Sequence, residues 1–191
     1  MTDSSGKVAL VTGGARGIGA ATAKMLAAQG ASVTVNYSRS RTPAEQVVET
    51  IERDGGQAKA IQADLSDPVA ARRLVLETIE RFGKLDILVN NAGTFGLKPL
   101  HECSDADYNA MFDLNVRAVF LTAREAAKRM EDGGRIINIG PSRATACPRP
   151  AADCTARAKR RWPVLRAAGR AIWDRAASPS TACSRGRSTP T

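Results

Sequence analysis

The residues best suited to chemistry begin with Thr12-Gly13-Gly14-Ala15-Arg16-Gly17-Ile18-Gly19. Glycine permits a tight turn, close approach of backbone to a phosphate, and close packing of a helix on a strand. A helix that starts in such a loop offers unpaired N–H groups and its positive dipole end to a pyrophosphate. Gly13, Arg16, Gly17, Ile18 and Gly19 are therefore candidate anion-binding positions. Further polar groups follow along the chain: Tyr37-Ser38-Arg39, Asp64-Leu65, Asn90-Asn91-Ala92-Gly93, Asn115 and Ser142. Taken singly, each has a plainer reading. Asn91 can cap a helix, Asp64 can serve a turn, and Asn115 can be a buried structural amide. A glycine pattern alone is weak as well. It gains weight only if a strand precedes it and a helix follows.

The surrounding elements meet that condition. Residues 7–12 form a short apolar run that ends in glycines, as a buried parallel strand does. Residues 17–29 are alanine-rich, place Ile18, Ala21, Met25 and Leu26 on one helical face, and stop at Gly30. A second strand is expected over 32–36. Pro43 opens a helix that runs to about Arg53, and Gly55-Gly56 closes it. A third strand is expected over 58–63. Asp67-Pro68 starts a third helix, with Ala71, Leu74, Val75, Thr78 and Ile79 at helical spacing. Strands are expected over 85–90 and 135–140, with two helical patterns over 104–131 between them. Alternation of this kind implies right-handed crossovers and a parallel sheet covered on both faces. The expected fold is α/β, a Rossmann-like doubly wound parallel sheet that stops after its fifth strand. Its ligand crevice should lie at the C-terminal strand ends.

The end of the second strand bears on the choice of ligand. Dinucleotide folds that take NAD carry an acidic residue there for the ribose hydroxyls. Asn36-Tyr37-Ser38-Arg39 has none, while Arg16 and Arg39 can face a 2′-phosphate with suitable guanidinium geometry. This favours NADP(H) over NAD(H). The alternative is that Arg39 and Arg41 are solvated loop charges.

The spacing T-G-x-x-x-G-x-G resembles that of the short-chain dehydrogenase/reductase family, including its 3-oxoacyl-carrier-protein reductase-like members. The other motifs agree in order over residues 7–142. Asn90-Asn91-Ala92-Gly93 is similar to the family's NNAG, and Asp64-Leu65 to its adenine-contacting pair. Asn115 and Ser142 stand where the family has its catalytic Asn and Ser. The resemblance implies hydride transfer between NADPH and a small-molecule carbonyl or alcohol substrate. Gly13, Arg16, Gly17, Ile18, Gly19, Tyr37, Ser38, Arg39, Asp64, Leu65, Asn91, Ala92 and Gly93 would hold the cofactor. Ser142 would orient the carbonyl oxygen, and Asn115 would hold a water in the proton relay. The family also requires a tyrosine with a lysine four residues later, whose ammonium favours the phenolate. The chain has two tyrosines, Tyr37 and Tyr108, followed four residues on by Arg41 and Phe112. The pair is missing as written.

The last quarter of the chain suggests why. Of 28 Lys+Arg and 19 Asp+Glu in the 191 residues, residues 143–191 hold 11 Lys+Arg and 2 Asp. That segment therefore carries the whole formal charge of +9, and residues 1–142 are neutral. Arginine, alanine, proline, serine and threonine dominate it without hydrophobic period, as GC-rich coding DNA gives when read out of frame. Reading each codon one base earlier forces Leu at slot 154, Ala at slot 163 and Gly at slot 174. Slot 155 can then be only Tyr or His. With allowed codons, residues 153–163 (DCTARAKRRWP) become Gly-Leu-Tyr-Ser-Ala-Ser-Lys-Ala-Ala-Val-Ala, which contains Tyr-x-x-x-Lys. Its tyrosine falls 13 positions after Ser142, close to the family's spacing. The expectation is a dinucleotide-binding domain over 1–142, a one-base slip near codons 140–144, and an out-of-frame, poorly ordered basic tail over 143–191. The competing reading is a basic tail for nucleic acid, with Trp162 stacking on bases.

The remaining features set limits on location and partners. Cys103 is the one cysteine before residue 143, and the spacings of Cys147, Cys154 and Cys183 do not resemble a zinc pattern, so no metal site is expected. No apolar run reaches membrane-spanning length and the N-terminus lacks a signal pattern, so a cytoplasmic location without membrane contact is expected. The resemblance further implies a homodimer or homotetramer for the in-frame protein. The 191-residue chain itself is expected to be inactive.

Overall fold

A computed structural model describes residues 4–96 and 98–140. Five parallel strands lie in the order β3-β2-β1-β4-β5: β1 Val8–Val11, β2 Ser32–Tyr37, β3 Gln57–Gln62, β4 Ile87–Asn90 and β5 Arg135–Asn138. The crossovers are α1 Gly17–Ala28, α2 Arg41–Arg53, α3 Pro68–Phe82, and the segment α4 Asp105–Phe112 with α5 Ala118–Ala127. The order reverses between β1 and β4, which opens a crevice at their C-terminal ends, as the doubly wound reading requires. Ser142 and residues 143–191 lie outside the described residues.

β1, β2 and β4 are buried on both faces, which explains their near-continuous apolar runs, whereas β3 alternates and β5 is largely exposed among the described residues. Ala9, Val11, Val33 and Val35 pack under α1 and α2. Leu10, Ile61 and Leu88 point to the other face and meet Leu74 and Val75 of α3 and Leu121 of α5. The helix ends follow local chemistry. Asp67 accepts a hydrogen bond from the Val69 N–H at 2.9 Å, Pro68 occupies the first turn, and Gly83 closes α3 at φ +84°. Ser104 and Asp107 form a reciprocal capping box on α4.

Two features differ from the sequence expectation. The face of α1 that packs on the sheet is Gly19, Ala23 and Ala27; Ile18 and Met25 are more than half exposed. Small residues win this face because they let the helix axis approach the strands, and side-chain size misleads a reading by hydrophobicity alone. In addition, α2 begins two residues before Pro43. A proline fits there because N–H groups of a first turn have no intrahelical partner.

Thr34 lies in the centre of β2 at 0% exposure, and its Oγ1 is buried without a hydrogen-bond partner. An unsatisfied buried hydroxyl costs free energy that an isosteric methyl does not. Thr34→Val is therefore expected to raise stability by about 1 kcal/mol in a urea melt. A loss of stability would show that the hydroxyl is satisfied in solution.

Candidate dinucleotide site

The glycine loop runs from the end of β1 into α1. Gly17 has φ +56°, a region that side chains avoid, and a Cβ there would meet nothing within 4 Å. The start of α1 at Gly17 is thus sterically open, and N–H groups of a first turn have no partner within the helix. Gly19 is the opposite case: a Cβ would lie 2.5 Å from Asn91 Nδ2 and 2.5 Å from the Gly13 carbonyl. Here glycine serves contact between helix, loop and the segment after β4.

That segment is tied to the loop by side chains. Asn91 Nδ2 donates to the carbonyls of Thr12 and Gly13, each at 3.0 Å. The Thr12 hydroxyl accepts from the N–H groups of Asn91 at 2.9 Å and Ala92 at 3.0 Å, and lies 3.3 Å from the Val89 carbonyl. No helix starts at Asn91, so helix capping does not explain it. Its amide bridges the two loops that flank the switch point.

Asn115 lies in a π turn, Asp113–Arg117, that joins α4 to α5. Such turns interrupt the regular helical ladder and recur at functional sites. The Asn115 amide is buried and pairs twice with Thr94: Oδ1 accepts from the Thr94 N–H at 2.9 Å and Nδ2 donates to its carbonyl at 2.8 Å. The side chain thereby fixes the loop after Gly93.

At the other end of the crevice, Ser38 and Arg39 are exposed beyond β2. Arg16, from the loop before α1, hydrogen-bonds Ser40, so its side chain reaches the loop that carries Arg39. A cleft of about 460 Å³ lies beside them, lined in part by Ser38, Arg39, Gln62, Asp64 and Arg73. Hydrogen bonds from the Ser66 hydroxyl and N–H hold the Asp64 carboxyl below its usual range, with a smaller contribution from the Arg39 charge. Asp64 therefore does shape its own turn, and it also stands ionised beside the cleft.

Two expected cofactor residues sit differently from the rest. The Tyr37 ring is buried in the core beneath α1 and α2, and the Leu65 side chain is buried in the opposite cluster. Their side chains are therefore not open to a ligand. The sequence reading also missed two contributors. By sequence Thr12 reads only as the start of the glycine loop, yet its hydroxyl organises the Asn91 segment. By sequence Asn36 reads only as a position without an acid, yet its amide joins three chain segments. An asparagine inside an apolar strand is the signal that was available. Among the described residues no group of His, Cys, Asp or Glu is placed to hold a metal ion, and no helix is long and apolar enough to cross a membrane.

Comparison with known proteins agrees with this geometry. A family model for short chain dehydrogenases matches residues 7–154. An uncharacterized oxidoreductase of Methylorubrum extorquens is 48% identical over 139 residues, covering 73% of this chain and 56% of that protein. Versicolorin reductase 1 of Aspergillus parasiticus is 49% identical over 142 residues, covering 74% of this chain and 53% of the relative. The chain thus spans about half the length of the curated relatives it matches. A short chain dehydrogenase of Burkholderia cenocepacia, solved in complex with NADP, superposes with a TM-score of 0.84 at 43% identity, covering 92% of this chain and 72% of the other.

Proposed function

This chain belongs to the short-chain dehydrogenase family, and on that premise we propose that residues 1–142 are the NADP(H)-binding part of an oxidoreductase that moves a hydride between NADPH and a small carbonyl or alcohol. The observation that carries this reading is an open α1 N-terminus at Gly17 beside two cationic residues on adjacent loops, Arg16 before α1 and Arg39 after β2, linked by the Arg16–Ser40 hydrogen bond, where no acid follows β2. The donor set fits the group. Backbone N–H groups suit a pyrophosphate, guanidinium groups suit a 2′-phosphate, and Asp64 stands as an acceptor at the adenosine end. The Burkholderia relative's complex with NADP supports the same choice.

When bound, NADPH supplies the hydride for the carbonyl carbon. The chain's own residues do the rest of the work. The Thr12–Asn91 hydrogen bonds hold the glycine loop against the segment after β4, and Asn115 fixes Thr94 at the substrate side. Ser142 is assigned to orient the carbonyl oxygen. Proton transfer is assigned to a tyrosine at slot 155 of the corrected frame, with a lysine at slot 159 that lowers its pKa. The one-base slip belongs to this proposal, and the absence of Tyr-x-x-x-Lys from the chain as written supports it. The 191 residues as written bind NADP(H) without turnover. The in-frame protein acts in the cytoplasm as a homodimer or homotetramer built through the helices around residues 104–131.

The test is a titration of the purified chain with NADPH and NADH, followed by cofactor fluorescence. NADPH is expected to bind about tenfold to a hundredfold more tightly, the worth of hydrogen bonds to a charged group. Arg39→Ala should lose most of that difference and leave NADH affinity unchanged. Equal affinities in the unsubstituted chain would overturn the preference for NADP(H).

A further inference from the structure

Asn36 is the next-to-last residue of β2 and is 2% exposed. Burying a carboxamide is unfavourable unless its polar atoms are bonded, and here each is engaged. Oδ1 accepts from the Gly13 N–H at 3.2 Å. Nδ2 faces three carbonyls, those of Tyr37 at 3.3 Å, Ile61 at 3.4 Å and Ala63 at 3.2 Å. The Asn36 carbonyl also accepts from the Gly14 N–H at 2.8 Å. One residue of β2 thus holds the Gly13 and Gly14 N–H groups of the glycine loop on one side and the end of β3 on the other. Ala63 is the residue before Asp64. A hydrophobic side chain would suit a central strand position in this core, and an aspartate would set a carboxylate against three carbonyls. The arrangement needs an acceptor and a donor on one short planar group, which asparagine provides.

We infer that Asn36 is a positioning residue that fixes the glycine loop and the Asp64 loop at one separation, so that a single dinucleotide can engage both. The inference rests on the NADP(H) reading of the site. It assigns affinity to a residue that points away from the crevice loops' exposed surfaces. Two N–H groups at Gly13 and Gly14 are turned inward to Asn36, which leaves anion binding to the N–H groups further along, at the start of α1. Losing the Asn36 side chain releases the Gly13 N–H and the carbonyls at the end of β3 at once.

The test compares three variants of the full 191-residue chain: Asn36→Ala, Asn36→Asp, and Val33→Ala as a control on the same strand. Val33 is fully buried but faces α1 and α2 and touches neither loop's hydrogen bonds. Asn36→Ala is expected to weaken NADPH binding about tenfold to a hundredfold, the effect of stranding buried hydrogen-bonding groups. Val33→Ala should weaken it less than about threefold at a comparable loss of melting temperature, since its cost lies in packing away from the site. Without nucleotide, amide hydrogen exchange should accelerate at both Gly13 and Ala63–Leu65 in Asn36→Ala, and at neither in Val33→Ala, while Gly14, bonded to the main-chain carbonyl of residue 36, stays protected. Asn36→Asp keeps the acceptor for Gly13 and loses the donors, so its exchange should rise mainly at Ala63–Leu65. Equal affinity losses in Asn36→Ala and Val33→Ala, or unchanged exchange in the two loops, would overturn the inference. A native chain that binds no NADPH would instead overturn the cofactor reading, and the exchange data would still decide the role of Asn36.

Discussion

Restoring one base near codon 142 is expected to convert an inert nucleotide-binding chain into an NADPH-dependent reductase. The physical reason is the fate of the proton. Hydride addition to a carbonyl carbon leaves charge on oxygen, and a positioned acid there contributes about 10²–10⁴-fold to rate. The 191 residues provide no tyrosine with a lysine four positions on. Tyr37 is buried in the core, and Tyr108, in α4, stacks on Phe112 with ring centroids 4.1 Å apart. Resequencing the gene from codon 135 onward is the first measurement. A missing or extra base between codons 140 and 144 would place Tyr-x-x-x-Lys at slots 155 and 159. The frame-corrected protein should then consume NADPH with a ketone at a rate of order 1–10³ per second, while the chain as written shows none. If the reading frame stands as given, the slip hypothesis is wrong and the chain is a nucleotide-binding remnant. Clear NADPH turnover by the 191-residue chain would overturn its predicted inactivity.

A single methyl group at Gly19 is expected to have the largest effect within the described fold. Its Cβ would lie 2.5 Å from both Asn91 Nδ2 and the Gly13 carbonyl. Those two atoms are themselves joined by a 3.0 Å hydrogen bond, so the methyl intrudes on the bond that ties the glycine loop to the segment after β4. Backbone on one side and a bonded amide on the other leave little room to relax. Gly19→Ala should therefore destabilise the chain by about 3 kcal/mol, at the upper end of what overpacking costs, and should weaken NADPH binding along with it. Gly17→Ala gives the contrast. Space is open there and only the positive φ is penalised, so a loss of about 1–2 kcal/mol is expected. Urea denaturation of both variants measures the difference. Equal losses would show that α1 shifts to accommodate the Gly19 methyl group.

The same pair of glycines shows what was legible in the sequence. Their spacing after an apolar run, with a helical pattern behind, was enough to place a phosphate-binding loop. Which glycine is there for backbone angle and which for contact was not, because contact depends on Asn91, 72 positions away in the chain. Strand and helix order was likewise readable, since β1, β2 and β4 are buried on both faces and stand out as apolar runs. The buried face of α1 was not. Hydrophobicity pointed to Ile18 and Met25, whereas close packing on the sheet selected Gly19, Ala23 and Ala27.

By itself, the sequence determined the alternation of elements, the doubly wound fold class, the family resemblance and the lack of an acid after β2. These are properties of local pattern and residue type, and they survive without coordinates. Tertiary structure alone decided how the motifs act on one another. It set the Thr12 hydroxyl beneath Ala92, turned Asn115 onto Thr94 within a π turn, and made Asn36 the link between two loops. Hydrogen bonds of this kind join residues 21 to 80 positions apart. Local sequence pattern carries no record of which distant carbonyl a buried amide will meet, so these pairings appear only when the strands are laid side by side.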